Sequence, residues 1–187
     1  MDNHVKQNEN VSGNLNNAQR FDQFTDAINS ALSHDALMDM FRDQLLNICE
    51  VEMASIFLID SLKMQLVSWL VLPGESVRKI RISIDKTSIA GYTASSRKLV
   101  LIKDPYNENE LYSIDPELKF DSSWDQQTGT RTRQVLATPI MVQRSLLGVI
   151  QLMNKKENMV FSEDDKHHVE NLATTLGYAL LALQNTP

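Results

Sequence analysis

Apolar residues recur at helical spacing at both ends of the chain. The first run, from Ala18, places Phe21, Phe24, Ile28 and Leu32 on one face, and the second places Leu37, Phe41, Leu45 and Ile48 on one face. Asp35 lies in the first turn of this second helix, where it suits the positive end of the helix dipole. A third run opens at Phe161 and continues to about Gln184, with a stripe formed by Val169, Leu172, Leu176, Leu180 and Leu183. The pattern therefore predicts two helices at the start and one at the end.

Between these helices the apolar period falls to two, which predicts strands. The strands are expected at Ala54–Asp60, Leu66–Leu72, Val77–Ile84, Leu99–Ile102, Val135–Val142 and Leu146–Asn154. Pro73-Gly74 and Gln143-Arg144-Ser145 supply two of the turns. A short helix is expected from Thr87 to Arg97, and residues 104–130 form a long polar stretch. Segments of that length in a compact domain are usually functional or contain short helices of their own, and we call residues 104–134 the lid.

This order of elements predicts an α+β fold. Because most of the strands follow one another as hairpins, we expect a mainly antiparallel six-stranded sheet with the terminal helices on one face. The short helix and the lid would cover the other face, with a ligand pocket beneath them. Residues 1–17 are rich in asparagine and poor in large apolar residues, which predicts a disordered leader or linker before a domain at 18–187.

Composition and charge remove several classes of function. The chain has 187 residues and a net charge of −6, which argues against a general nucleic-acid-binding surface. The basic group Arg78, Lys79, Arg81 and Lys86 lies on an alternating segment and is interpreted as a solvated face. The start of the chain has no apolar core for a secretion signal, and the longest apolar run, Tyr178–Leu183, is too short to span a bilayer. We expect a cytoplasmic domain without a membrane segment.

No pattern typical of catalysis or metal binding is present in the sequence. Cys49 is the single cysteine, so there is no disulfide framework and no multi-cysteine metal cluster. His167 and His168 are adjacent on an amphipathic helix and point in different directions, which disfavours a metal pair. The six glycines are too widely separated for a dinucleotide or Walker-type loop. The sequence predicts a protein that is not an enzyme and has no obligatory cofactor or metal.

Two segments offer groups that bind phosphate or sugar. Ser88-Ile89-Ala90-Gly91 opens a helix after a strand, where free backbone amides and the helix dipole can hold a phosphate; the alternative is a simple serine cap. In the run from Asp125 to Thr132, a helix would place the hydroxyls of Thr128 and Thr132 on one face, ready for ribose or phosphate oxygens. A turn with capping threonines is the alternative, and spacing alone favours the turn.

A third segment combines a strand end with the start of the last helix. Asn154-Lys155 closes the final strand, and Phe161 and Asp165 follow at the beginning of the helix. A lysine at the strand end that faces an aspartate in the first helical turn can form a partly buried salt bridge. Such a pair would fix the two elements against each other.

The runs IAGYTASS, DQQTGTRT, LLGVIQLMNKK and FSEDD resemble the GAF domains of cyclic-nucleotide phosphodiesterases and cyanobacterial adenylyl cyclases, over roughly residues 18–184. The most specific part is the family's asparagine-lysine-phenylalanine-aspartate-glutamate pattern. It is present here as Asn154, Lys155, Phe161 and Asp165, with Lys166 in place of the glutamate. In the family, the lysine and the aspartate are thought to form a structural salt bridge rather than to contact the ligand.

The resemblance implies a set of ligand contacts in this sequence. Ile89 and Ala90 would donate backbone amides to a cyclic phosphate, and Asp125, Thr128 and Thr132 would surround the ribose, phosphate and purine from the lid. Ser55 matches a position at the purine edge, and Gln151 stands where some binders have glutamate. Some guanine-binding relatives have an aspartate on the second strand, whereas Val67–Leu72 contains no carboxylate. This absence tilts the expectation towards cAMP or another non-guanine ligand.

Two functions from different classes follow from the resemblance. The first is a regulatory module that binds a purine cyclic nucleotide, cAMP or cGMP, and relays it through the terminal helices to a downstream effector domain or protein. The second is a ligand-free dimerisation or scaffold module. Apolar residues beyond the core stripes, Ala179, Leu181 and Ala182 with Phe21, Phe24 and Ile28, favour a homodimer through the terminal helices in either case. Cys49 matches neither the catalytic cysteines of free methionine sulfoxide reductases nor the bilin-binding cysteine of phytochromes.

Overall fold

The computed structural model describes residues 19–73 and 80–184. The helices are α1 (residues 19–29), α2 (His34–Ile48), α3 (Ile89–Ser96), α4 (Glu108–Ile114), α5 (Ser123–Thr128) and α6 (Glu163–Gln184), with a short 3-10 helix at Lys156–Asn158. The strands are β1 (Val51–Asp60), β2 (Gln65–Leu72), β3 (Arg81–Ser83), β4 (Val100–Ile102), β5 (Val135–Val142) and β6 (Ser145–Lys155). The predicted leader at 1–17 lies outside the described residues.

The strands form one six-stranded sheet in the order β3-β2-β1-β6-β5-β4, and every neighbouring pair is antiparallel. This arrangement confirms the predicted α+β fold class. The long strands β1 and β6 occupy the centre, and β5 and β6 are joined by the two-residue turn Gln143-Arg144. Of the predicted strand Val77–Ile84, Arg81–Ser83 form β3 and pair with β2, and the part of the prediction that falls on residues 77–79 lies outside the described residues.

Helices α1, α2 and α6 pack on one face of the sheet, as the helical stripes predict. Their buried residues form one apolar cluster with inward-facing residues of β1, β5 and β6. Phe21, Phe24 and Ile28 of α1 belong to this cluster, and so does Ala179 of α6. The core of their own chain therefore accounts for these four apolar residues, and the homodimer through the terminal helices stays a prediction.

The other face of the sheet carries α3 and the lid. Ile89, Ala90 and Ala94 of α3 pack with Leu111 of α4 and with the strands in a second apolar cluster. The lid folds into α4 and α5, and the side chain of Asn107 caps α4 by accepting from the amides of Asn109 and Glu110. The sheet is thus covered on both faces, with the terminal helices on one and the predicted ligand-binding elements on the other.

Candidate functional site

The sheet supplies a polar pair on the lid face. Ser55 of β1 and Gln151 of β6 are directly paired across the two central strands. Both point to the same face as Phe57 and Val149, because side chains two residues apart on a strand share a face, and these two neighbours belong to the cluster beneath α3. Ser55 is buried and Gln151 is half-buried. A hydroxyl and an amide therefore stand side by side in an otherwise apolar floor.

The start of α3 presents backbone amides towards the same side of the sheet. The Ser88 hydroxyl caps the helix by accepting from the Gly91 amide at 3.1 Å. The amides of Ile89 and Ala90 are the first two of the helix and have no acceptor within it. A Cβ at Gly91 would lie 2.5 Å from the Ser83 carbonyl oxygen, so glycine lets the helix start lie directly against the end of β3. This start has the geometry and dipole of a phosphate site.

A buried carboxylate joins the two ends of the lid. Asp125 Oδ2 accepts from the Tyr106 hydroxyl at 2.7 Å and from the Thr132 amide at 2.6 Å, and Oδ1 accepts from the Thr132 hydroxyl at 2.8 Å. Tyr106 follows β4 and Thr132 precedes β5, so the entry and the exit of the lid meet at one side chain. The hydrogen bond to Asp125 raises the pKa of Tyr106. The Arg131 guanidinium lies 4.1 Å from the centre of the Tyr106 ring.

The two predicted threonines do not share a helical face. Helix α5 ends at Thr128, because Gly129 adopts a left-handed conformation with φ of 69°. The Thr128 hydroxyl is exposed, donates to the Trp124 carbonyl at 2.9 Å and lies 2.7 Å from the Thr130 hydroxyl. Thr132 alone of the pair reaches Asp125. A turn at Gly129 thus separates the two threonines, and neither of them caps a helix, because the Thr128 hydroxyl bonds a carbonyl of α5 and the Thr132 hydroxyl bonds Asp125.

Asn154 clamps the lid exit to the end of β6. Its Oδ1 accepts from the Arg133 amide at 2.7 Å, and its Nδ2 donates to the Arg131 carbonyl at 2.9 Å and to Glu52 Oε2 at 3.0 Å. The side chain is buried and its φ is 58°. Glu52 also holds Arg133 at 2.7 Å, and this hydrogen bond lowers the pKa of Glu52. The asparagine of the family pattern therefore holds the exit of the lid against the end of β6.

Lys155 fastens the terminal helices. Its Nζ lies 2.6 Å from Asp165 Oδ1, 3.1 Å from the Cys49 carbonyl oxygen and 3.3 Å from Glu50 Oε2. Asp165 Oδ2 accepts from the Ser162 amide and hydroxyl, both at 2.7 Å. Burial alone would raise the pKa of Asp165, but the bonds from Lys155 and Ser162 outweigh it and hold that pKa below its usual value. The ion pair expected between strand end and helix start is formed.

Two further residues lie in this region, one that the sequence pattern pointed out and one that it did not. Lys166, which replaces the family's glutamate, pairs with Glu163 at 2.7 Å on the outside of α6. Gln134 is buried between the lid exit and the chain leading into α6, where its side chain bonds Met159 and Phe161. The sequence carries no motif or charge that would have singled out Gln134.

Two open cavities lie beside the terminal helices, with volumes of about 940 and 440 Å³. They share Ile48, Glu50, Lys155 and Met159 as lining residues. None of the predicted ligand contacts lines either cavity. We place the candidate site on the lid face, because polar groups of β1 and β6, the start of α3 and the lid all lie on this side of the sheet, and polar groups rather than volume orient a ligand.

Over the described ranges, no group of histidine, cysteine, aspartate and glutamate side chains has an arrangement that could hold a metal ion. Cys49 is a free, buried thiol whose pKa burial raises to about 12. None of the helices in residues 19–73 and 80–184 has the length and apolar character needed to cross a membrane.

Comparisons with known proteins place the chain among signalling domains. A sequence profile described as "GAF domain" matches residues 33–180. The "Probable 3',5'-cyclic phosphodiesterase pde-5" of Caenorhabditis elegans is 26% identical over 188 aligned positions, which cover 92% of this chain and 24% of the relative. The "cGMP-specific 3',5'-cyclic phosphodiesterase" of Drosophila melanogaster is 29% identical over 98 positions, covering 52% of this chain and 8% of the enzyme. The chain thus spans a quarter or less of these relatives.

Solved structures agree with the fold. The GAF domain from a phosphoenolpyruvate-protein phosphotransferase of Coxiella burnetii superposes with a TM-score of 0.73 at 18% identity, over 91% of this chain and 95% of that one. The superposition shows a common fold. At 18% identity it carries no information on ligand or activity.

Proposed function

Since the chain belongs to the GAF domain family, which is a regulatory rather than a catalytic module, we propose that it binds a purine cyclic nucleotide, cAMP or cGMP, on the lid face. The observation that carries the proposal is the presence of three kinds of group on this one face of the sheet. The free amides at the start of α3 suit a phosphate, the Ser55–Gln151 pair suits a base edge, and the Asp125–Thr132 cluster closes the lid.

Each group has a distinct role in the proposed complex. Ile89 and Ala90 donate backbone amides to the cyclic phosphate. Ser55 and Gln151 meet the purine edge, and Gln151 suits either purine because an amide offers both a donor and an acceptor. Asp125 and Thr132 bring the lid onto the ribose side. Thr128, exposed at the end of α5, contributes only if the lid rearranges around the ligand.

Two observations bear on the identity of the purine. The relatives are named as cyclic phosphodiesterases, and one of them as cGMP-specific, which supports a cyclic nucleotide and favours cGMP. The absence of a carboxylate from Val67–Leu72 favours cAMP. Parallel titration with the two nucleotides decides between them.

Isothermal titration calorimetry of the purified domain tests the proposal. We expect saturable binding of cAMP or cGMP at one site per chain, and little binding of the corresponding 5'-monophosphates. Gln151→Leu removes the amide from the floor and should weaken binding about tenfold, the effect of losing one or two hydrogen bonds to a ligand. Thr174→Ala, on the exposed side of α6, is the control. Absence of saturable binding by either nucleotide would refute the proposal.

The second candidate is a ligand-free scaffold that pairs through its terminal helices. The observation in its favour is the lid itself, whose buried carboxylate already has three donors from its own chain. Leu32 and Tyr178 remain exposed for contact with a second copy or an effector. Light scattering coupled to size exclusion distinguishes a dimer from a monomer, and mass spectrometry of released small molecules shows whether a nucleotide is present.

A further inference from the structure

Gln134 joins two parts of the chain that are far apart in sequence. It is the residue before β5, and only 7% of it is exposed. Its Nε2 donates to the Met159 carbonyl at 2.6 Å, and its Oε1 accepts from the Phe161 amide at 3.1 Å. A carbonyl can only accept and an amide can only donate, so the two partners fix the orientation of the side chain.

The backbone of Gln134 belongs to the exit of the lid. Its carbonyl accepts from the Asn154 amide at 3.1 Å, and its own amide lies 3.4 Å from Asn154 Oδ1. Thr132, two residues earlier, is bonded twice to Asp125. A change in the position of the lid therefore acts directly on the backbone that carries the Gln134 side chain.

The partners of the side chain lead into α6. Phe161 is buried in the cluster under the terminal helices. The next residue, Ser162, caps α6, because its hydroxyl accepts from the Asp165 amide at 3.1 Å. The two side-chain bonds of Gln134 thus hold the segment that sets the start of α6.

We propose that Gln134 is a positioning residue that transmits the state of the lid to the start of α6. The inference rests on the proposed function for its biological meaning, since a nucleotide is the natural cause of lid movement. The coupling itself does not depend on a nucleotide. It requires only that a disturbance of the lid alters the segment from 159 to 166 when Gln134 is present, and fails to do so when its two bonds are absent.

Hydrogen exchange of the full chain, analysed by peptide, tests this coupling with four proteins: wild type, Thr132→Ala, Gln134→Met and the double variant. Thr132→Ala loosens the lid, and we expect it to speed exchange in residues 159–166 severalfold over wild type. Gln134→Met keeps the side-chain volume and removes both bonds, so it speeds the same exchange by itself. Adding Thr132→Ala to Gln134→Met should then change residues 159–166 by less than twofold, whereas independent effects would multiply.

Two more variants keep the result interpretable. Gln44→Met makes the same replacement at an exposed position of α2 and should leave the effect of Thr132→Ala intact. Gln134→Glu can still accept from the Phe161 amide but cannot donate to Met159, and it replaces Gln134→Met if that variant does not fold. Equal effects of Thr132→Ala in both backgrounds, or no effect on residues 159–166 in wild type, would overturn the inference. Nucleotide titration of wild type is scored separately and tests only the proposed function.

Discussion

Asp165 shows how a single side chain holds two elements together. One carboxylate oxygen accepts a hydrogen bond from the Lys155 ammonium at the end of β6. The other accepts from the amide and the hydroxyl of Ser162 at the start of α6. These bonds favour the ionised form and keep the pKa of Asp165 below its usual value despite burial. A folded-state pKa below the unfolded one contributes stability above the unfolded value of 3.8. That stability is lost as the pH falls through the lower, folded value.

Asp165→Asn should therefore lower the free energy of unfolding at neutral pH by about 2 kcal/mol, because Lys155 loses its closest anionic partner inside the protein. The variant should also lose less stability on acidification below the usual carboxyl range than wild type does. Urea denaturation at a series of pH values measures both effects. Asp164→Asn, in the same helical turn and exposed, is the matched control; an identical acid response in wild type and Asp165→Asn would contradict this account.

Thr132 is a structural residue as well as a proposed ligand contact. Its hydroxyl bonds the buried Asp125 carboxylate, so Thr132→Ala should cost about 1 to 2 kcal/mol of stability in addition to weakening nucleotide binding. Thr132→Ser retains the hydroxyl and should recover most of both. Thermal unfolding and calorimetric titration of the two variants check the prediction, and a Thr132→Ser protein as weak in binding as Thr132→Ala would assign the effect to the methyl group.

At the residue scale, the contact between two charged side chains could be predicted from the sequence, whereas the hydrogen bonds of neutral side chains could not. Lys155 and Asp165 could be paired because one closes a strand and the other opens the helix that follows. Thr128 and Thr132 could not be placed, because Gly129 ends α5 between them. Gln134 could not be found at all, since a neutral amide just before a strand carries neither periodicity nor charge and its partners lie 25 and 27 residues away.

At the element scale, the end of β6 depends on one residue with a left-handed backbone. Asn154 has a φ of 58°, which turns its side chain to the lid exit while Lys155 points to the terminal helices. Asparagine tolerates this conformation better than other residues with a Cβ. Two consecutive residues of one strand therefore hold the elements on the two faces of the sheet: Asn154 holds the lid and Lys155 holds the terminal helices.

Substitution of Asn154 separates its backbone role from its side-chain role. Asn154→Ala loses the hydrogen bonds and adds backbone strain, whereas Asn154→Gly loses only the bonds. We expect Asn154→Gly to be more stable than Asn154→Ala by about 1 kcal/mol, although alanine is otherwise the more stabilising residue. Chemical denaturation of the two variants measures the difference. If Asn154→Ala is equally or more stable, the left-handed backbone is not a constraint on this strand.

The long strands and long helices were predictable because their periods extend over many residues. The short elements α3 and β4 were also located, to within about two residues of their observed ends, whereas the helices of the lid were not. Alternation located β1, β2, β5 and β6 to within about three residues of their observed ends. Helices α4 and α5 have seven and six residues, too few to show a helical period. The last helix starts at Glu163 rather than at Phe161, because Ser162 caps it and Phe161 packs in the core.

At the scale of the whole molecule, the sheet separates two apolar clusters, one beneath the terminal helices and one beneath α3 and the lid. The layer order followed from the sequence, because helical stripes at the chain ends and hairpins between them leave few alternatives. The connections between the faces followed only in part. The Lys155–Asp165 ion pair could be predicted from the sequence, whereas the hydrogen bonds of Gln134 and Asn154 come from side-chain geometry rather than from any pattern.

Cys49 makes the stability of this whole arrangement measurable. Its thiol is buried in the cluster under the terminal helices, and burial raises its pKa to about 12. The thiol is therefore shielded and protonated in the folded state, so a thiol reagent should react only when the core opens. The Cys49 carbonyl accepts from Lys155, which places the thiol next to the ion pair with Asp165.

If opening is global, Asp165→Asn should speed labelling of Cys49 roughly thirtyfold for a loss of about 2 kcal/mol, with the same urea dependence as unfolding. The single cysteine makes the signal unambiguous. Labelling followed in dilute urea measures the slope. A rate that is independent of urea and unchanged by Asp165→Asn would mean that Cys49 is reached by local opening near the end of α2, and that the Lys155–Asp165 pair does not control access to this part of the core.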